Sequence, residues 1–326
     1  MRNYANYKPA NQISINGIIF RQPITSWSLK SGEDSRDQEH NYERRFADVV
    51  LPNFLGQHQW VNMASLLNKQ RNYKYMAEKY SQLNKMQVDY GKKLVKVLDL
   101  KHGDKVLDMG CGTGEITSFI ADQVGEEGEV IGVDPDQERI KVAAKLNSSA
   151  SGAKRNIKFM VGDSSSHFPH YNEEYYDIYF TNFVIHWLTA QEKDVLLKTA
   201  FNCLKPGGKI VILSNDETPE VMVKVLDLLT DDEIEKNTLP LHYIEKSVLQ
   251  SKVEKSGFVV LFSEYAQEDM VFPSLESFLT WFCASSYVDE SKIVPHKKEA
   301  FAKTFVNEDR TVCFKMNIYR IIAKKC

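Results

Sequence analysis

Glycine recurs at Gly110, Gly112 and Gly114 inside the stretch KVLDMGCGTGEITSFIADQVGEEGEVIGVD, Lys105 to Asp134. That spacing constrains what the surrounding chain can become. A short apolar run, Val106 and Leu107, leads through Asp108 and Met109 into the glycines. A helix-compatible segment follows from Glu115 to about Val124. The turn Gly125 to Gly128 leads into a second apolar run, Val130 to Val133, ended by Asp134 and Pro135. Strand, tight turn, helix and strand in this order make one βαβ unit. Glycines there let the backbone turn sharply and let a ligand approach the main chain.

The ligand is narrowed by charge and spacing. An acid at the end of the second strand, roughly two dozen residues past the first glycine, can take both hydroxyls of a ribose. A dinucleotide fingerprint needs G-x-G-x-x-G, and Glu115 stands where its last glycine belongs. Asp108 adds an anion at the first strand's tip, which repels phosphate and suits a ligand carrying positive charge. S-adenosyl-L-methionine meets these demands: an adenosine without phosphate, a sulfonium and an ammonium group. Asp108, Gly110, Gly112 and Gly114 resemble motif I of the class I methyltransferases, D-x-G-x-G-x-G. The resemblance implies a Rossmann-like α/β fold: a mostly parallel seven-stranded sheet with a final antiparallel strand pair, plus a helical lid. It also implies that Cys111, Asp134 and Pro135 lie against the cofactor. As a nucleophile Cys111 has no partner in the sequence, and it reads as a small residue tolerated in the turn.

Before this unit the pattern is helical from about Trp60 to Leu98. Its segment AEKYSQLNKMQVDYGKKL resembles the helix preceding motif I in a branch that methylates small acids, the juvenile hormone acid and trans-aconitate methyltransferases. That likeness implies that Tyr80, Asn84 and Gln87 line the cofactor and acceptor pocket; otherwise they are the polar shoulder of an amphipathic helix. After Asp134, a helix is expected over Asp136 to about Asn147 and a strand over Asn156 to Val161. Asp163 and Ser164 end that strand; the resemblance implies that Asp163 reads the adenine amine and that Ser164 and Asn182 also bind the cofactor. Tyr175 to Phe180 is the next strand. Asn182 opens N-F-V-I, which lacks the prolines of the N-P-P-Y tetrad of enzymes that methylate planar nitrogens. His186 and Trp187 follow, resembling the aromatic acceptor site of the small-acid branch. Trp187 is expected to wall the cavity, because ligands of open α/β sheets sit past the strands' carboxyl ends. His186 is expected to orient the acceptor or take a proton; the alternative is a core histidine.

Glu192 to Leu204 reads as a helix stopped by K-P-G-G before a strand, Ile210 to Leu213. Beyond it the βα alternation ends. An acidic helical insertion is expected over Thr218 to Leu241, a helix over Ser247 to Ser256, and a strand from Val259 to about Tyr265. An aromatic helix, Ser274 to Tyr287, follows. Glu299 to Phe305 reads as a further helix and Thr311 to Ala323 as the last strand. Trp281 is the expected pocket contact of this lid. The implied division is an N-terminal extension, residues 1–65, and a methyltransferase domain, residues 66–326, with its core at 100–215 and its lid and last two strands at 216–326.

The chain has 326 residues, and its 41 Lys and Arg against 44 Asp and Glu leave a net charge of −3. Such a balance supplies no basic excess for a polyanion, so nucleic acid is not an expected partner. No run is apolar enough to span a membrane, and the first residues lack a basic head followed by an apolar core, so a secretory signal is not expected. Five cysteines lie scattered without a C-x-x-C pair, which favours a reducing, cytoplasmic setting and no structural metal site. Monomer and dimer are both compatible with the sequence. The resemblance implies methyl transfer to a small-molecule acceptor, with the carboxylate of an organic acid first in line. Such an acceptor is already anionic and requires no base. His186, Trp187 and Gln87 are the candidate catalytic residues, and Trp187, Gln87 and Trp281 the candidate acceptor contacts. The competing readings are a methyltransferase on another small-molecule O, N or C acceptor and a non-catalytic relative serving as a partner or regulator, the latter favoured by the N-terminal extension. An NAD-dependent reductase is disfavoured by the glycine spacing.

Overall fold

The computed structural model describes residues 73–149, 156–229 and 241–326, and the backbone of two short strands. The chain divides into two units, residues 1–67 and 68–326. In the first, Ser14–Ile15 pairs antiparallel with Ile18–Ile19, within the stretch from Gln12 to Phe20 that the sequence suggests as a strand or hairpin arm. The expected boundary near residue 65 lies outside the described residues.

The second unit is built on a seven-stranded sheet. Its strands are β1 (Lys105–Met109), β2 (Glu129–Asp134), β3 (Ile157–Val161), β4 (Tyr176–Asn182), β5 (Leu204–Ser214), β6 (Phe258–Phe272) and β7 (Val312–Lys325). They lie in the order β3-β2-β1-β4-β5-β7-β6. The first five strands are mutually parallel, and β7 runs against both of its neighbours. This is the mostly parallel sheet with a closing antiparallel pair that the motif implies. Val106, Leu107, Val130, Ile131, Ile210, Val211 and Ile212 are buried to within about 1%, because helices cover both faces of the parallel strands.

Helices α1 (Tyr73–Leu83) and α2 (Lys85–Val95) precede the sheet. The sequence suggests continuous helical character here, but Asn84 interrupts it with a ψ of 16°. Then come α3 (Glu115–Val124), α4 (Gln137–Ser149) and α5 (Ala190–Cys203). A capping box starts α5: Glu192 N–H donates to Thr189 Oγ1, while Thr189 N–H donates to the Glu192 carboxylate, so two otherwise unpaired amides are satisfied. Strand β5 begins at Leu204, earlier than expected. The K-P-G-G stretch is carried inside it through a register shift opposite Tyr176 and Ile178.

The remaining helices fall in the region the sequence reading assigns to a lid. They are α6 (Glu220–Asp227), α7 (Lys246–Lys255), α8 (Leu275–Ser286) and α9 (Pro295–Phe305). Part of the acidic insertion, residues 230–240, lies outside the described residues. Strand β6 continues well past Tyr265, where the polar run Gln267, Glu268 and Asp269 suggests an end. It continues because each of these residues pairs with β7, Gln267 with Asn317 and Asp269 with Lys315. The lid is sealed by aromatic packing. The Phe278 ring lies 5.3 Å from Phe272, 5.8 Å from Phe314 and 6.2 Å from both Trp281 and Phe301. Phe278 thus joins α8 and α9 to β6 and β7. Its truncation leaves a cavity among four rings, so Phe278→Ala should cost about 3–5 kcal/mol of unfolding free energy. The expected readout is a lowered urea midpoint with little change in slope.

Candidate functional site

The glycine turn closes on the carboxyl end of β1. Gly110 and Cys111 both donate their N–H groups to Val133 O, at 2.7 and 3.0 Å, so the turn hangs from the neighbouring strand. Gly110 has φ +77°, and a Cβ there would stand 2.2 Å from Val184 Cγ2. Gly114 has φ +84°, and its Cβ would stand 2.6 Å from Phe159 Cζ. Glycine is required at both positions, by backbone conformation and by space. A Cβ on Gly112 would meet the Tyr80 ring at 3.3 Å, so Tyr80 covers the turn from α1.

The helices before β1 are tied to this turn by side chains. Asn84 Nδ2 donates to Thr113 Oγ1 at 3.1 Å. Ser81 Oγ and Thr113 Oγ1 both donate to the Glu115 carboxylate, at 3.0 and 2.7 Å. Gln87 is buried and works from both ends. Its side-chain Oε1 accepts from Trp281 Nε1 at 3.3 Å, and its backbone O accepts from Asn182 Nδ2 at 3.1 Å. The structure therefore brings Tyr80, Asn84, Gln87, Asn182 and Trp281 around the glycine turn or onto one another. Trp281 itself is 2% exposed and packs on Phe272 with ring centroids 4.9 Å apart.

Two carboxylates end the first two strands. Asp108 is 2% exposed and accepts a 2.6 Å hydrogen bond from Thr117 Oγ1. Burial pushes its pKa up to about 7, against the Thr117 bond and with help from the nearby charge of Asp134. Asp134 accepts from Gly112 N–H and Asp136 N–H, both at 2.9 Å. Its pKa is raised by burial, opposed by the Arg139 guanidinium. Cys111 is buried beside them, and desolvation holds its thiol well above its ordinary value, which removes the thiolate a nucleophile needs. Pro135 is exposed at the head of the next loop. At the end of β3, Asp163 accepts from Ser165 N–H at 2.8 Å and lies 3.1 Å from His167 Nδ1. Ser164 is buried, and its carbonyl accepts from Thr199 Oγ1 at 2.7 Å.

Arg139 is the site residue that sequence reasoning did not find. Its guanidinium lies 4.1 Å from the Tyr80 ring centroid and 4.7 Å from that of Tyr287. It also donates to Ala284 O at 3.2 Å, and Tyr287 OH donates to Asp136 at 2.7 Å. Core loop, α1 and lid meet there. The available signal was a cation in the first turn of α4, where the helix dipole disfavours one.

Past β4 a single turn of 3-10 helix, Ile185–Trp187, carries the aromatic pair. His186 is buried, with Nδ1 3.2 Å from Ser214 Oγ. Its ring stacks on Tyr243 at 5.8 Å and lies 5.5 Å from Trp187. Burial, then the Lys193 charge, lowers the His186 pKa to about 3, so the imidazole stays neutral at physiological pH. Trp187 is half-buried beside it. Among the described residues no helix is long and apolar enough to cross a membrane.

These residues fit S-adenosyl-L-methionine. The turn has glycines where side chains would fill the cradle, and two buried carboxylates flank it. Asn182 Oδ1 is buried with no hydrogen-bond partner, an acceptor available to an ammonium group. A model of the methyltransferase domain matches residues 100–264, half of the chain. The chain belongs to that methyltransferase family, and S-adenosyl-L-methionine is its cofactor. The chain is 33% identical over 155 residues to a demethylmenaquinone methyltransferase of Lactobacillus johnsonii, covering 46% of this chain and 62% of that one. Against phosphoethanolamine N-methyltransferase 1 of Arabidopsis thaliana it is 33% identical over 129 residues, covering 40% of this chain and 24% of the relative. The matched region thus spans less than two thirds of either relative. Among solved structures, the YcgJ protein of Bacillus subtilis superposes with TM-score 0.51 at 17% identity, over 73% of this chain and 98% of that one. The cyclase SpnF superposes with TM-score 0.50 at 17% identity, over 73% and 81%. These likenesses establish the fold.

Two outcomes follow from the geometry. Uptake of a cationic ligand favours ionised Asp108, so binding should release a proton near neutrality. Affinity should then rise with pH below about 7, by at most about tenfold per unit; calorimetry in buffers of different ionisation enthalpy measures the proton, and Asp108→Asn should abolish it. Gly110→Ala should remove cofactor binding and lower stability together, as read by calorimetry and thermal melting.

Proposed function

We propose that this protein transfers the methyl group of S-adenosyl-L-methionine to a carboxylate oxygen of a small, lipophilic organic acid. The observation that carries the reading is His186. A buried imidazole held near pKa 3 is a poor general base at neutral pH. A carboxylate acceptor is already ionised and needs none, whereas a phenol or an amine does. The cofactor supplies an activated methyl on a positively charged sulfur. The chain's part is to hold both reactants at attack distance and to exclude water. Asp108, the glycine turn and Asp134 hold the cofactor in this reading, with Asn182 Oδ1 accepting from its ammonium group. Tyr80 closes the turn from above. Trp187 walls the acceptor, and neutral His186, bridged to Ser214, fixes the turn that presents it. Gln87 links this site to the lid through Trp281. Asp163 reads the adenine.

The same reading assigns residues 1–65 to an extension outside the catalytic unit and residues 66–326 to the enzyme. Five free cysteines, three of them buried, suit a reducing cytoplasm.

The test is S-adenosylhomocysteine formation with saturated and unsaturated lipophilic acids. A demethylated quinol and phosphoethanolamine, the acceptor classes of the named relatives, are run beside them. Methyl ester formation with an acid is expected; turnover confined to the quinol or the amine would replace this reading. Trp187→Ala should lower kcat/KM by about tenfold or more while leaving S-adenosylhomocysteine affinity within about twofold. Equal loss of both would make Trp187 a packing residue. Asp134→Ala should weaken cofactor binding by about 1–3 kcal/mol, measured by calorimetry.

A further inference from the structure

Lys193 lies on α5, one turn beyond the His186–Trp187 pair, and is 2% exposed. Its ammonium group has no carboxylate partner among the described residues. The two nearest acids are engaged elsewhere. Glu192 closes the capping box of α5 at 2.8 Å, and Asp194 pairs with Lys252 at 2.6 Å. Lys193 Nζ donates instead to two backbone carbonyls, that of Leu188 and, at 2.7 Å, that of His242. A buried cation without a counter-ion is costly. Its position therefore calls for a use beyond filling space.

The two carbonyls belong to different parts of the fold. Leu188 caps the 3-10 turn that carries His186 and Trp187. His242 lies in an irregular segment of the lid that has neither helix nor strand to hold it. That segment makes one further backbone bond to the turn, His242 N–H to His186 O at 2.7 Å. The next residue, Tyr243, stacks on the His186 ring at 5.8 Å with an interplanar angle of 26°, and its hydroxyl accepts from Thr218 Oγ1 at 2.7 Å. Segment and turn are thus joined by a clamp whose only charge among the described residues is Lys193.

We propose that Lys193 is a positioning residue of the acceptor site: its ammonium group straps the lid segment at His242 onto the His186–Trp187 turn and so sets Tyr243 as a wall of the acceptor cavity. The proposal rests on the acceptor site assigned above. Among the described residues the bonds of Lys193 and Tyr243 run to Leu188, His242, Thr218 and His186, not to Asp108, Asp134 or the glycine turn, so cofactor affinity is expected not to depend on the strap. Arginine can still donate to two carbonyls and keeps the charge. Methionine matches the stem and removes both donors.

The experiment compares the full chain as wild type, Lys193→Met, Lys193→Arg and Tyr243→Ala. Hydrogen–deuterium exchange of the His242 amide reads the strap directly. Calorimetry with S-adenosylhomocysteine reads the cofactor site, and initial rates with dodecanoic acid, or the best acid found for wild type, read the acceptor. Lys193→Met should speed exchange at His242 and raise the acceptor KM, each by about tenfold, with S-adenosylhomocysteine affinity unchanged. Lys193→Arg should restore most of both. Tyr243→Ala, which leaves no buried charge unpaired, should raise the acceptor KM alone and decides the matter should Lys193→Met not fold. Unchanged exchange and unchanged KM in Lys193→Met overturn the proposal, as does an unchanged KM in Tyr243→Ala. If wild type methylates no acid, the functional reading falls, while the exchange comparison still decides the strap.

Discussion

The site depends on a turn that lacks side chains at Gly110, Gly112 and Gly114, where strand β1 ends. Gly110 and Cys111 hang by their amides from Val133 O, so the turn is fixed to β2 and not to its own strand alone. Val184 and Phe159 then press against Gly110 and Gly114 from two sides, in the space a Cβ would need. That close approach brings the ends of β1, β2 and β4 into one region. Asp108, Asp134 and Asn182 meet there as a result of sheet order: β1 lies between β2 and β4.

Carboxylates buried at such a place cost free energy, and the structure offsets part of it locally. Thr117 donates to Asp108, two backbone amides donate to Asp134, and Arg139 stands nearby. What is left of the cost appears as a raised pKa. A cationic ligand is the natural complement of that arrangement, and a diphosphate is not. The electrostatics thus agree with the glycine spacing by an independent route. His186 shows the opposite case. It too is buried, but a buried imidazole avoids the cost by staying neutral, with Nδ1 held beside Ser214 Oγ.

Among the described residues the lid is held to the core by aromatic packing and by polar contacts that include those of Gln87, Arg139 and Lys193. Gln87 joins α2, β4 and the lid through Trp281 and Asn182. Arg139 joins α4, α1 and the lid between the rings of Tyr80 and Tyr287. The bonding sets of Gln87 and Arg139 lie beside the glycine turn, through Asn182 and Tyr80. SpnF, a cyclase, shares the fold, a reminder that chemistry here is set by side chains and not by the sheet.

Much of this was legible in the chain itself. The turn from Asp108 to Gly114, the acid at Asp134 and the K-P-G-G stretch are local features, set by steric rules that operate within a few residues. They carry the family resemblance, which implied the sheet and its antiparallel closing pair, and their acids pointed to a ligand with positive charge. The interruption at Asn84, the extension of β6 past Tyr265, the sandwich around Arg139 and the clamp made by Lys193 were not legible. Each depends on partners far along the chain: Thr113 for Asn84, β7 for β6, Tyr80 and Tyr287 for Arg139, His242 for Lys193. Periodicity and propensity describe a residue's own neighbourhood. Burial of a charge, and the donors that make it tolerable, are decided only when distant segments pack together.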